Sequence, residues 1–233
     1  MTKKIYLYDD KIGKVEYVEH MGSDLSVVNS ARVSFGKQKK VIDEKDEKLI
    51  NYLIKHRHTS TLEHCVVTFR FKVPLYVRSQ HHRHRTWSYN EISRRYTEHD
   101  IEFYNPFNYR TQHKSNRQAS NESDFVTGPM AGPILGCQVN ESVRRHINLV
   151  MNYYEQLLEA GVCREQARGL LPQNMYTEYY GTANLNNILK FVDLRIHEGA
   201  QVEIQNVAKA VLKITKKLFP ITVGAYEKAK SKS

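Results

Sequence analysis

The sequence predicts an α+β fold, an antiparallel sheet carrying several long helices, in a single domain over residues 1–233. Three observations carry that expectation. "CVVTFRFKV" (65–73) alternates apolar and polar residues with the period of a half-buried strand. "ESVRRHINLVMNYYEQLLEAG" and "AQVEIQNVAKAVLKITKKLF" repeat apolar residues every three to four positions, the stripe of a core-facing helix. No internal repeat and no linker divides the chain.

In order, "KKIYLYDDKIGKVEYVEHMG" is rich in β-branched and aromatic residues with Asp and Gly turns, and reads as a strand or short hairpin. "SDLSVVNSARVSF" starts a helix with Ser23 or Asp24 as cap. "DEKDEKLINYLIKHRH" starts a second behind an acidic first turn, with Leu49, Tyr52 and Leu53 on one face. After the strand at 65–73, Pro74 suits a helix start because its missing N–H needs no partner there. The following "RHRTWSYNEISRRY" (83–96) therefore begins at a helix end and runs into a loop. Residues 105–140 are polar and aperiodic with three of the six prolines, which predicts a long surface loop and candidate lid. Beyond it come a helix with Val143, Ile147, Val150, Tyr154 and Leu157 inward and ending at Gly161, and a short helix, "REQARGLLPQ". A strand, "NMYTEYYGTAN", a helix, "LNNILKFVDLRIH", and the long helix with Val207, Val211, Ile214 and Leu218 inward complete the chain.

Composition narrows the function. Thirty-five Lys and Arg against 25 Asp and Glu give a formal charge of +10, which calls for a polyanionic or phosphorylated partner. No apolar run reaches the ~18 residues of a membrane span. "MTKKIYLYDD" lacks the apolar segment of a secretory signal, so a cytoplasmic location is expected. Cys65, Cys137 and Cys163 form no C-x-x-C pair, against both a disulfide framework and a zinc ribbon.

Neither a G-x-x-x-x-G-K-[ST] loop nor a G-x-G-x-x-G turn is present, so phosphates must be held by side chains. Arginine suits this because its planar fork gives two parallel charge-assisted hydrogen bonds to one phosphate. Arg83, Arg85, Arg94 and Arg95 cluster in residues 83–96, and Arg168 and Arg195 stand alone in apolar helical contexts, each either a ligand contact or half of a structural ion pair. The plainer reading of 83–96 is a solvated basic loop, or a nucleic-acid stripe with Trp87, Tyr89 and Tyr96 as stacking platforms. Against it, Glu91 and Asn90 sit in its middle, where a carboxylate repels a phosphodiester backbone and instead suits a ligand with donors, such as a ribose hydroxyl. His56, His58, His64, His81, His82 and His84 lack the spacing of a zinc site, so no metal is expected. Ser88 and Ser93 lie in no nucleophile elbow, and no cysteine sits in a recognisable reactive setting.

The string "RHRTWSYNEISRRY" closely resembles the R-H-R-x-x-S-x-N-E-x-S-x-R-Y signature of the flavin-dependent thymidylate synthases, and "ARVSFG", "HTSTLEH", "REQARGLLP", "NLNNILKFVDLR" and "AQVEIQ" follow in that family's order. The resemblance implies the family's α+β fold and conversion of dUMP to dTMP. Methylenetetrahydrofolate would be the one-carbon donor, NADPH the reductant and FAD the bound cofactor, with no cysteine nucleophile. It also implies a homotetramer with active sites shared between subunits, and neither a nucleic acid nor a membrane partner. By that analogy FAD would contact His58, Ser60, Glu63, Arg83, His84, Arg85, Asn90, Glu91, Asn184, Asn186, Lys190 and Leu194. The nucleotide would be held by Gln80, Arg83, Glu91, Ile92, Ser93, Arg94, Arg95 and Arg168, with Arg195 beside the uracil as the catalytic residue that stabilises charge on the ring when N3 ionises. Lys190 and Gly199 stand where some members carry Asn and His.

Overall fold

A computed structural model describes residues 4–97, 100–128 and 137–231. Its strands in chain order are β1 (Lys4–Tyr6), β2 (Lys14–Met21), β3 (Val66–Pro74), β4 (Ser88–Glu91), β5 (Arg110–Gln112), β6 (Ser120–Phe125) and β7 (Tyr176–Asn184). The helices are α1 (Asp24–Arg32), α2 (Glu44–Lys55), α3 (Leu75–His81), α4 (Val139–Glu159), α5 (Arg164–Ala167), α6 (Leu185–Ile196), α7 (Val202–Leu218) and α8 (Pro220–Lys230). Five strands form one antiparallel sheet in the order β1-β2-β3-β7-β4, and β5 pairs with β6 in a separate hairpin.

The alternation in β3 does what its period demands. Val67, Phe69, Phe71 and Val73 are fully buried, while Arg70 and Lys72 on the other face meet Glu178 and Glu102. Against the buried face pack Leu185, Ile188 and Phe191 of α6, and Ile204, Val207, Val211 and Ile214 of α7, in one apolar cluster. A second, smaller cluster gathers Tyr154 of α4 with Ala167, Leu171 and Met175. Asp24 joins the two ends of the chain: its carboxylate, nearly fully buried, accepts from the backbone N–H of Ile221 and of Thr222 and from the Thr222 hydroxyl, capping α8 from a distance.

Three expectations need correction. In α2 Leu49 and Leu53 face the core as expected, together with Ile50, whereas Tyr52 is exposed and lies against the rings of His56 and His58; a three-to-four spacing admits either choice, and packing of the neighbouring turn decides. Residues 88–91 are not loop but the edge strand β4, paired to β7 through Ser88↔Thr182, Tyr89↔Gly181, Asn90↔Tyr180 and Glu91↔Tyr179. Four residues are too short for a period-two signal to stand out. Within 105–140, β5 and β6 form a hairpin whose polar residues are ordered by hydrogen bonds such as Arg110 Nε to Ser120 Oγ; positions 129–136 of that expected loop lie outside the described residues.

At Gly181 in β7 neighbouring rings close over the backbone. A Cβ there would stand 2.8 Å from the Phe71 ring and 3.4 Å from Trp87. Gly181→Val is therefore expected to overpack the sheet and lower stability by about 1–3 kcal/mol, read as a lower urea midpoint at unchanged slope; an unaltered midpoint would contradict this packing.

Candidate active site

The turn between α3 and β4 is built by its backbone. His84 N–H donates to the His81 carbonyl (2.9 Å) and Trp87 N–H to the His84 carbonyl (3.2 Å), making two consecutive tight turns. Both carbonyls also accept from the Tyr89 hydroxyl, at 2.9 and 3.1 Å. Tyr89 stacks on His82 with ring centroids 4.0 Å apart, and Trp87 is buried against Phe69, Phe71 and His81. The outcome is an alternation along the motif: Arg83 and Arg85 are exposed, and His84 turns inward. A buried Trp87 offers no stacking platform, which removes the central element of the nucleic-acid reading.

His84 meets Arg195, which lies on the last turn of α6. Arg195 Nε donates to His84 Nε2 (3.1 Å), and its Nη2 donates to the Gln80 carbonyl (3.0 Å). This contact requires a neutral imidazole, since a protonated one has no lone pair to offer. Burial, then the nearby guanidinium, pushes the His84 pKa down to about 4. Burial also lowers Arg195 from the usual arginine range. His82 is likewise pushed down to about 4, by burial and then Arg78, and His81, fully buried with Nδ1 2.9 Å from the Tyr179 hydroxyl, lies well below its ordinary value.

The expected flavin contacts fall into two groups along α6. At its start, Asn186 is buried and donates to Glu63 (2.9 Å), in the 3₁₀ segment Thr59–His64 that also carries Ser60 and follows His58. Asn184 spends its side-chain oxygen capping the helix through Asn187 N–H. Lys190 and Leu194 follow Asn186 at one-turn spacings and are exposed, Leu194 by 58%. Arg195, nine residues beyond Asn186, lies about 13.5 Å along the axis, so one helix joins the Glu63 region to the His84 turn.

The expected nucleotide contacts are more dispersed. Asn90 and Glu91, adjacent on β4, leave it on opposite faces. Asn90 lines a cavity of about 760 Å³ on the outer face of the sheet, with Ile92, Arg94, Arg70, Lys72 and Tyr180 among its walls. Glu91 accepts from the Thr177 hydroxyl (2.6 Å) and has Arg78 Nε at 3.2 Å. The two side chains therefore serve opposite faces of the sheet. Ser93 opens a turn in which its Oγ accepts from Arg95 N–H (3.3 Å). Arg94 is buried and donates to the Asp100 carbonyl (3.1 Å), while Arg95 is exposed beside the Tyr96 ring. Arg168 is exposed and bonded through Nε to the Glu165 carbonyl, and no contact among the described residues joins it to the His84 turn.

Charge separates these arginines into two populations. Arg32, Arg70, Arg110, Arg144 and Arg145 each hold a carboxylate. Among the described residues Arg83, Arg85, Arg95 and Arg168 hold none. Arg83 and Arg85 lie within the two tight turns, and exposed guanidinium groups without a carboxylate suit a bound anion. The sequence offered Tyr89 only as a stacking platform and not as the brace of the turn, since it falls at a spacer position of the motif, and it missed Arg78, whose link to Glu91 spans a helix and a strand.

Comparison with known proteins gives these residues their relatives. A family model described as "Thymidylate synthase complementing protein" matches residues 16–221. A flavin-dependent thymidylate synthase from Thermus thermophilus is 41% identical over 215 residues, 92% of this chain and 76% of that protein. One from Kosmotoga olearia is 42% identical over 214 residues, 92% and 90% respectively. Among solved structures, the UMP/dUMP methylase PolB from Streptomyces cacaoi bound with 5-Br UMP is similar at 33% identity and a TM-score of 0.77, covering 92% of this chain and 93% of that one.

Two outcomes follow from the turn. Tyr89→Phe removes one O–H shared by two carbonyls, so stability should fall by about 1 kcal/mol, measured by thermal denaturation; a wild-type transition would deny the hydroxyl its bracing role. The histidines supply the pH dependence. Their folded pKa values lie below the ~6.5 of an unfolded chain, so the stability that they permit is complete above pH ~6.5 and is lost as pH falls from there toward 4. The unfolding temperature should therefore decline between pH 6.5 and 5, before the ion-paired carboxylates begin to protonate; a flat profile over that interval would contradict the buried neutral imidazoles.

Proposed function

The chain belongs to the flavin-dependent thymidylate synthases, and from that membership we propose that the His84 turn, α6 and the exposed arginines together hold FAD and dUMP. The enzyme converts dUMP to dTMP with methylenetetrahydrofolate as the one-carbon donor, and FAD, once bound, supplies the redox chemistry of methyl formation. The observation that carries the site assignment is the pair of exposed arginines flanking an inward His84 that is already bonded to Arg195.

FAD fits these residues by charge and by polarity. Its pyrophosphate needs cations without carboxylate partners, the condition of Arg83 and Arg85. Its ring system needs apolar cover with polar edges, which the exposed Leu194 and the Asn186–Glu63 pair offer, Leu194 and Asn186 lying two turns apart on α6. His58, Ser60, Lys190, Asn184 and Asn90 complete the proposed flavin contacts.

For dUMP, Arg195 is the proposed catalytic residue. Two of its nitrogens are held by His84 and by the Gln80 carbonyl, which fixes the plane of the guanidinium and leaves its Nη1 edge to meet a pyrimidine ring. A fixed cation in a water-poor pocket stabilises negative charge on the ring better than a mobile one does. Arg95, Arg168 and Arg83 are the proposed phosphate clamps, with Gln80, Ser93, Arg94, Ile92 and Glu91 around the sugar and base. NADPH is the proposed reductant, a homotetramer with shared sites the proposed assembly, and the cytoplasm the proposed location; among the described residues no helix is long and apolar enough to cross a membrane. The fold is proposed to be one domain over the whole chain. A second reading, methylation of UMP as well, is favoured by the likeness to a UMP/dUMP methylase bound with 5-Br UMP.

Purified protein should show flavin absorption bands, and should form dTMP from dUMP with methylenetetrahydrofolate and NADPH. Arg195→Ala should abolish turnover, by roughly 100-fold or more, while retaining FAD. Turnover in that variant would refute its role, absence of flavin binding would sink the whole reading, and UMP offered in the same assay decides the second one.

A further inference from the structure

Gln80 is connected to more of the chain than its own helix. Its Nε2 donates to Gln201 Oε1 (2.5 Å), Gln201 Nε2 donates to Glu203 Oε2 (2.8 Å), and the other oxygen of Glu203 takes Arg110 Nη2 (2.7 Å) and lies 3.5 Å from the Tyr104 hydroxyl. Glu203 is 4% exposed. Arg110 belongs to β5 of the polar hairpin, Gln201 is the residue before α7, and Glu203 is in the first turn of α7. These bonds join three segments that lie far apart in the sequence.

The order of donors along this path is set by chemistry. A carboxylate paired with an arginine only accepts, so the end of Gln201 that faces Glu203 must be its NH2 group. The opposite end, facing Gln80, is then a carbonyl oxygen, and Gln80 must turn its own NH2 toward it. One N–H and the carbonyl oxygen of Gln80 are left in a defined plane for a ligand. An amide normally free to flip about its last torsion is thus held in one orientation by a buried charge two side chains away.

From this we infer that Gln201 and Glu203, anchored by Arg110, are positioning residues that orient the Gln80 amide for the nucleotide. The inference rests on the reading that Gln80 contacts dUMP, and it gives the hairpin within 105–140 a task in nucleotide affinity. Gln201 and Glu203 touch no ligand themselves; they act through Gln80 alone.

The test is a double-mutant cycle on the FAD-loaded enzyme, with the dUMP dissociation constant read from the perturbation of flavin absorbance. Gln80→Ala should weaken binding. Gln201→Ala should weaken it by about 3- to 10-fold, the cost of immobilising one side chain on binding, and the double variant should bind no more weakly than Gln80→Ala by itself. A residue that only supports the fold would instead weaken binding in either background. If Gln80→Ala binds dUMP as the wild type does, the nucleotide reading of Gln80 fails and the relay falls with it. If Gln80→Ala is weak but Gln201→Ala is not, or the two effects multiply, the relay is overturned and the nucleotide reading stands. Glu203→Gln, which keeps the shape and removes the obligatory acceptor, runs through the same cycle and decides the matter if Gln201→Ala loses its flavin.

Discussion

The site depends on β7 being paired on both edges. One edge takes β3 along nine residues, from Val66↔Asn184 to Pro74↔Tyr176, and the other takes the four residues of β4. Since β3 leads directly into α3 and β7 leads directly into α6, this single strand fixes both halves of the site. The register opposes Tyr89 to Gly181, and the missing side chain at Gly181 lets Phe71 and Trp87 close over that point. Tyr89 is then placed under the turn whose carbonyls it braces. On the other side, Asn184 ends β7 and caps α6 with its own side chain, so the phase of α6 and the direction of Arg195 follow from the strand.

Burial around this junction has an electrostatic consequence. Three neighbouring histidines in a chain of formal charge +10 would repel one another and the arginines if protonated, and their packing against Phe71, Trp87, Tyr89 and Phe191 keeps them neutral instead. A neutral His84 can accept from Arg195, so the cation is oriented without being neutralised. A carboxylate in that place would orient the guanidinium equally well and would cancel the charge on which the proposed role of Arg195 rests. Glu91 and Glu203 illustrate the contrast: each is tied to an arginine, Arg78 or Arg110, and neither carboxylate faces Arg195.

The parts of this arrangement legible in the sequence are those with a short period or a fixed spacing. The alternation of β3 and the stripes of α4 and α7 are readable because each element buries one face of itself, and the two arginines flanking His84 are readable because all three lie within one short motif. Tyr52 was misplaced because an amphipathic helix tolerates an aromatic at the boundary of its stripe. β4 was missed because its four residues take their conformation from β7 and not from their own propensity. The opposition of Asn90 and Glu91 became evident only once β4 was known to be a strand, since adjacent residues in a loop can converge and adjacent residues in a strand cannot. The bonds from Gln80 through Gln201 to Glu203 were out of reach for a different reason: they cross 121 positions of sequence, and no periodicity reports a contact between segments that distant.

The same distances bear on the proposed assembly. Within one chain, Arg195 and Gln80 lie at the His84 turn, Asn186 and Glu63 lie about 13.5 Å along α6, Arg94 opens into the cavity on the far face of the sheet, and Arg168 stands exposed on another segment. A phosphate held by Arg168 and a pyrimidine held by Arg195 of the same chain would need these groups to converge, and no described contact draws them together. Two chains placed against each other, as in the proposed tetramer, relax that demand, because the proposed phosphate-holding arginines of one could face the Arg195 end of α6 in the other. Exposed guanidinium groups without carboxylate partners are costly to bury in a protein interface unless an anion enters with them. Under the proposed tetramer, ligand phosphates would be the anions that such guanidinium groups require.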